Sequence, residues 1–175
     1  MEDLSLHILD IVENSVTAGA KQVNISIIKD SQRDIMEMII VDNGRGMDHK
    51  MLKNVRDPFV TTRTTRRVGL GISLLERSTV DADGSFDIKS EPGKGTEIKA
   101  TFKISHIDCK PIGDIGSTMI SLILGNPDVD FTYISNFDGE ETILNTREIK
   151  DELDGVCITD PAVLKLIRDM FTQVV

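Results

Sequence analysis

Ile35-Met36-Glu37-Met38-Ile39-Ile40-Val41-Asp42-Asn43-Gly44-Arg45-Gly46-Met47 decides how this chain is read. The apolar run from Ile35 to Val41 makes a strand, and the strand delivers Asp42 to the start of a glycine-containing loop. A carboxylate held there can accept a hydrogen bond from the exocyclic amino group of adenine. Guanine would turn a carbonyl oxygen toward it, and an unpaired buried acceptor costs about 1–3 kcal/mol. Gly44 and Gly46 let the backbone approach a base and take positive φ. Taken alone, the same residues are better read as an Asn-Gly turn.

Upstream, residues 4–18 read as an amphipathic helix with Ile8, Leu9, Ile11, Val12 and Val16 on one side. His7, Asp10 and Asn14 share another side, and such a polar stripe faces water or lines a cleft. Asn14 offers a neutral oxygen of the kind Mg²⁺ takes when phosphates and water complete its shell; an ordinary solvent-facing helix residue is the plainer alternative. Ala18-Gly19-Ala20 ends the helix. Val23, Ile25 and Ile27 then alternate with polar residues as a half-buried strand.

Downstream, a short helix is expected over Asp48 to Val55, and the Thr- and Arg-rich residues 56–68 read as a mobile loop. Gly69-Leu70-Gly71 opens a helix reaching Ser78, and exposed N–H groups at such an end suit an anion. The segment lacks the Lys-Ser/Thr of a Walker loop and is not a GxGxxG fingerprint. Arg56, Arg63, Arg66 and Arg67 gather just before it, either to attract a triphosphate or to keep the loop solvated. Phe86 and Ile88 start a strand, Glu91-Pro92-Gly93-Lys94-Gly95 turns the chain, and Ile98, Ala100, Phe102 and Ile104 alternate back. These elements add up to a sheet with helices stacked on one face.

From residue 105 the character changes. A helix is expected over Ile112 to Leu124, then a hairpin of Phe131–Ser135 and Thr142–Leu144 around Asp138-Gly139. A last helix runs from Asp160-Pro161, as N-cap and N1, to Thr172. The division expected is residues 1–104 as one domain and 105–175 as an acidic, ordered C-terminal segment. Residues 1–104 carry 16 acidic and 15 basic side chains, while 105–175 carry 13 acidic and 5 basic. The acidic excess serves solubility or docks a basic partner.

A net charge of -9 and aromatics at 4% with no Trp argue against nucleic-acid partners. No apolar run reaches membrane-span length, the N-terminus is acidic rather than signal-like, and Cys109 and Cys157 form no CxxC pair. The expectation is a cytoplasmic protein with no membrane association.

Five segments, in order, resemble the GHKL superfamily of histidine kinases, gyrase, Hsp90, MutL and anti-sigma serine kinases. Glu13-Asn14-Ser15-Val16-Thr17-Ala18-Gly19-Ala20 resembles the N box, nearest in wording to MutL, and Asp42 to Met47 resembles the G1 box. Asp57-Pro58-Phe59 with Thr61-Thr62 resembles the F box and the start of an ATP lid. Val68-Gly69-Leu70-Gly71-Ile72 is similar to the G2 box, and Glu91-Pro92-Gly93-Lys94-Gly95-Thr96 to the last box of a histidine kinase. The resemblance covers about residues 4–104. It implies an α/β (α+β) two-layer sandwich of the Bergerat type, a mixed β-sheet covered on one face by helices, with a small C-terminal α/β appendage.

The resemblance also implies ATP and Mg²⁺ as cofactors. Asn14 would be the Mg²⁺ ligand, and Asn14, Asp42, Gly44, Gly46, Met47, Phe59, Thr61, Thr62, Arg63, Gly69, Leu70, Gly71 and Thr96 the nucleotide-binding residues. Asp10 stands where the hydrolysing branches carry a water-activating Glu, one methylene shorter, and is the candidate catalytic residue. Only 13 residues precede Asn14, so no phosphoacceptor hairpin is expected upstream, and the format looks most like the anti-sigma serine kinases. The expected function is a Mg-ATP-binding regulatory protein that transfers the γ-phosphoryl group to a partner protein. Slow ATPase switching and non-catalytic ATP/ADP sensing are the alternatives. The C-terminal segment is a candidate docking surface for an unidentified protein, and homodimerisation is an open option.

Overall fold

In the computed structural model, which describes residues 2–55 and 70–172, six strands form one mixed sheet. The strands are β1 (Gln22–Asp30), β2 (Ile35–Asp42), β3 (Ser85–Glu91), β4 (Gly95–Lys103), β5 (Asp130–Phe137) and β6 (Glu140–Asn145), in the order β3-β4-β2-β1-β5-β6. Every neighbouring pair is antiparallel except β1 and β5, which run parallel with Val23 beside Phe131. The helices are α1 (Leu4–Thr17), α2 (His49–Asn54), α3 (Leu70–Asp81), α4 (Ile115–Gly125), α5 (Thr146–Glu152) and α6 (Pro161–Thr172).

Strand alternation decides which face the helices cover. Val23, Ile25 and Ile27 of β1, Met36, Met38 and Ile40 of β2, and Ile98, Ala100 and Phe102 of β4 point into the core. Ile28, Ile35, Ile134 and Ile143 are exposed. Residues two apart share a face, so one buried row per strand fixes the register of the whole layer. Helix α1 lies between α3 and α4, and α6 packs on α4. Asp3 starts α1 by accepting a hydrogen bond from the Leu6 N–H at 3.0 Å. The expected apolar side of α1 is what the core takes: Ile8, Ile11 and Val12 are buried, with Leu9 and Val16 half-buried against them.

The C-terminal residues join the same sheet. Helix α4 carries the chain from β4 across to β5, which lines up beside β1, so Phe131, Tyr133 and Leu144 continue the core begun by Val23 and Ile25. The ends are tied together where Leu4 N–H donates to the Pro111 carbonyl at 3.0 Å and Ser5 N–H to that of Ile112 at 2.8 Å. Helix α5 was not expected from the sequence. Asn145 caps it by accepting from the N–H groups of Arg147 and Glu148, and Thr146 Oγ1 takes the Phe131 N–H at 2.8 Å. With only seven residues, it carries too little apolar periodicity to stand out.

Candidate nucleotide site

Asp42 is the last residue of β2 and is 8% exposed. It sits in register with Val23 on one side and Thr96 on the other. Ser15 Oγ donates to its Oδ2 at 2.7 Å, and the Gly44 N–H donates to Oδ1 at 2.8 Å. A helix and a loop therefore hold this carboxylate in one orientation, with acceptor capacity remaining on both oxygens.

The loop that follows is clasped to the β3–β4 turn. Gly93 N–H donates to the Arg45 carbonyl at 2.7 Å, and Met47 N–H to Ser90 Oγ at 2.8 Å. Gly46 has φ +68°, and a Cβ on it would stand 1.9 Å from the Glu91 carbonyl oxygen. Gly95 has φ +97°, and its Cβ would meet the Asp42 carbonyl oxygen at the same 1.9 Å. Both positions need glycine, for conformation and for room.

Beside this clasp opens a cavity lined by Ile11, Asn14 and Ser15 of α1, Asp42, Gly46 and Met47 of the loop, Ile72 of α3, and Thr96 and Ile98 of β4. Its walls are mainly apolar, with a few convergent polar groups, the usual make-up of a small-molecule site. Asn14, Asp42, Gly46, Met47 and Thr96, expected from the sequence, thus meet in one place, while Gly44 backs Asp42. Asp10 lies one turn before Asn14 and outside that lining. A Cβ on Gly71, in the first turn of α3, would fall 1.6 Å from Asp10 Oδ2, so the carboxylate is seated against that glycine. Burial holds the Asp10 carboxyl above the ordinary carboxylate range.

Phe59, Thr61, Thr62, Arg63 and Gly69 lie outside the described residues, as do the expected loop at 56–68 and Arg56, Arg66 and Arg67. Leu70 opens α3. His7, read with the polar stripe, is instead 1% exposed, with neither ring nitrogen hydrogen-bonded. Sequence reasoning missed Ser15 as the partner of Asp42 and Ser90 as the anchor of the loop. Ser15 follows Asn14 directly, so a helix that aims Asn14 into a cleft brings its neighbour close. Ser90 becomes visible only once the β3–β4 register sets it opposite Thr96.

A family model described as histidine kinase-, DNA gyrase B-, and HSP90-like ATPase matches residues 2–106. The chain belongs to that family. A putative sensor protein of Shewanella frigidimarina is 33% identical over 103 residues, covering 58% of this chain and 16% of its own length. Sporulation kinase D of Bacillus subtilis is 34% identical over 101 residues, 56% of this chain and 19% of that one. The chain thus spans less than a fifth of the length of these curated relatives.

Among solved structures, the Aquifex aeolicus MutL ATPase domain complexed with ADP superposes with a TM-score of 0.51 at 20% identity, covering 83% of this chain and 63% of that one. The N-terminal domain of a DNA repair protein gives a TM-score of 0.57 at 15% identity, covering 83% and 53%. At these identities the likeness concerns the fold, the mixed sheet under helices expected from the sequence. Covering 83% of the chain, it reaches past residue 106 into the C-terminal segment.

Proposed function

We propose that this chain is a Mg-ATP-binding regulatory protein that passes the γ-phosphoryl group to a partner protein. The observation that carries the reading is the Asp42 carboxylate, oriented by Ser15 and Gly44 at one wall of an apolar cavity. An acceptor fixed in that way suits the amino group of adenine, and the lack of a Cβ at Gly46 and Gly95 lets the backbone close around the site. Ile11, Ile72 and Ile98 supply the flat apolar contact a base requires.

Asn14 lines the same cavity and would hold Mg²⁺ through its amide oxygen. Such a cation would draw its other ligands from phosphate and water. Bound there, Mg-ATP would supply the transferable phosphoryl group and the charge that screens it. Asp10 then takes the proton from the incoming hydroxyl, and a carboxyl pushed upward by burial is the better base for it. Phe59, Thr61, Thr62, Arg63, Gly69, Leu70 and Gly71 are proposed as further nucleotide-binding residues. The acidic segment 105–175 is the proposed partner-docking part, and the cytoplasm the proposed location; no described helix is long and apolar enough to cross a membrane.

The seating of Asp10 against Gly71 favours one second reading. A base one methylene short of the usual Glu and packed on a helix end would turn over slowly, leaving a switch in which ATP binding is the signal. Following γ-labelled ATP with Mg²⁺ in the purified protein, with Asn14→Ala as control, decides between them. Label on an added partner supports the kinase, and label released as phosphate supports the slow ATPase. Failure to bind ATP refutes both.

A further inference from the structure

Ser90 stands behind the cavity wall, in register with Thr96, which in turn is in register with Asp42. Its hydroxyl makes three contacts: the Met47 N–H at 2.8 Å, the Gly95 carbonyl at 2.9 Å and Thr96 Oγ1 at 2.9 Å. A serine hydroxyl has one hydrogen to give and two lone pairs. The N–H can only donate and the carbonyl can only accept. All three contacts are satisfied together in one way alone. Ser90 accepts from Met47, donates to Gly95, and accepts from Thr96.

That arrangement uses up the only hydrogen Thr96 has. Thr96 lines the cavity, and its Oγ1 then has lone pairs but no hydrogen left to offer. Asp42, in register with Thr96, offers carboxylate lone pairs, and the Ser15 hydrogen goes to Asp42 Oδ2 at 2.7 Å or to the Ile11 carbonyl at 3.2 Å. The corner where the base would be read therefore contains side-chain acceptors whose neighbouring hydroxyl hydrogens are all committed elsewhere.

We propose that Ser90 is a positioning residue that fixes the Thr96 hydroxyl as an acceptor, so that the pocket takes a purine carrying an amino group at its 6-position and refuses a 6-oxo purine. The proposal rests on the ATP-binding reading above. Without Ser90, Thr96 can rotate and present its hydrogen to a 6-oxo group, and discrimination falls.

The test is the ratio of ITP to ATP dissociation constants, measured by titration calorimetry on the full chain. Ser90→Ala should lower the preference for ATP roughly tenfold, the worth of one reversed hydrogen bond. Ser90→Thr, which restores the hydroxyl, should return it. In a Thr96→Val background, Ser90→Ala should leave the ratio unchanged, because its route to the base has gone. If Ser90→Ala does not fold, Ser90→Cys, a weak acceptor, should shift the ratio in the same direction by less.

Equal weakening of both nucleotides in the Ser90 variants, with the ratio constant, overturns the proposal and leaves Ser90 as a brace for the loop. A ratio that still falls in the Thr96→Val background overturns it as well. Wild-type protein that binds neither nucleotide would refute the ATP-binding reading itself and the proposal with it.

Discussion

His7 should make this protein acid-sensitive in a defined window. Its imidazole is 1% exposed, and neither nitrogen has a hydrogen-bond partner. Burial, reinforced by Lys110 and opposed by Asp3, lowers its pKa from 6.5 to about 4. A group with a depressed folded pKa that is charged when protonated binds its proton more readily in the unfolded chain. Stability is therefore complete above about pH 6.5 and is lost as the pH falls toward 4. At pH 5 the unfolded histidine is almost fully protonated and the native one about a tenth, which integrates to about 2 kcal/mol; the ceiling below pH 4 is about 3 kcal/mol.

The assay is urea unfolding of wild type and His7→Leu at pH 7.5 and pH 5. Other titrating groups are common to both proteins, so the change in their stability difference belongs to His7 and its close neighbours. The variant should gain about 2 kcal/mol on wild type between the two pH values. It should also be no less stable at pH 7.5, since it removes two unpaired buried nitrogens. A stability difference that stays constant from pH 7.5 to pH 5 would refute the argument.

Four further outcomes follow from the site and its surroundings. Gly46→Ala or Gly95→Ala should lower unfolding stability by at least about 2 kcal/mol, because each adds a positive-φ penalty to a collision with a backbone carbonyl; thermal melting checks it. Asp42→Asn should weaken ATP binding at least tenfold while leaving the far-ultraviolet spectrum unchanged, since one acceptor oxygen becomes a donor facing the adenine amino group. Gly71→Ala should displace the Asp10 carboxylate and reduce phosphoryl transfer or hydrolysis more than it reduces ATP affinity, read in single-turnover assays. Cys157, exposed and with its thiol pKa lowered by hydrogen bonds to Thr159, should alkylate faster than Cys109, whose thiol is pushed up by burial; peptide mapping after brief iodoacetamide treatment would show the order.

Local patterns in the sequence carried the elements far. Alternation at Val23, Ile25 and Ile27 and the run Ile35–Val41 give β1 and β2 to within a few residues at each end, because one buried face imposes a period of two. The Asp160-Pro161 start of α6 is equally legible, since cap and first-turn chemistry is local. Strand order is another matter. Nothing in the spelling of Phe131–Ser135 says that β5 lies parallel to β1, because that pairing depends on a crossover through α4 and on packing between residues more than one hundred positions apart.

The site divides along the same line. Asn14, Asp42, Gly46 and Thr96 carry their chemistry in their own type and neighbours. Ser15 and Ser90 acquire a role only from what they touch. His7 shows the reverse error: helical spacing grouped it with Asp10 and Asn14, yet α4 and the 110–112 segment, beside the start of α1, bury the face that carries Leu4, Ser5 and His7.

The parallel pairing of β5 with β1 bears on how this protein can be cut and fused. The stretch recognised by family stops at residue 106, but a gene truncated there would remove the strand that covers one whole edge of β1. The remnant would present the backbone of Gln22–Asp30 as a raw edge, the kind that pairs with other chains. Expression boundaries, reporter fusions and domain swaps therefore belong outside α6, which packs on α4, rather than at the family limit. A tag that loads the β5–β6 hairpin would also pull on Val23, the residue in register with both Phe131 and Asp42.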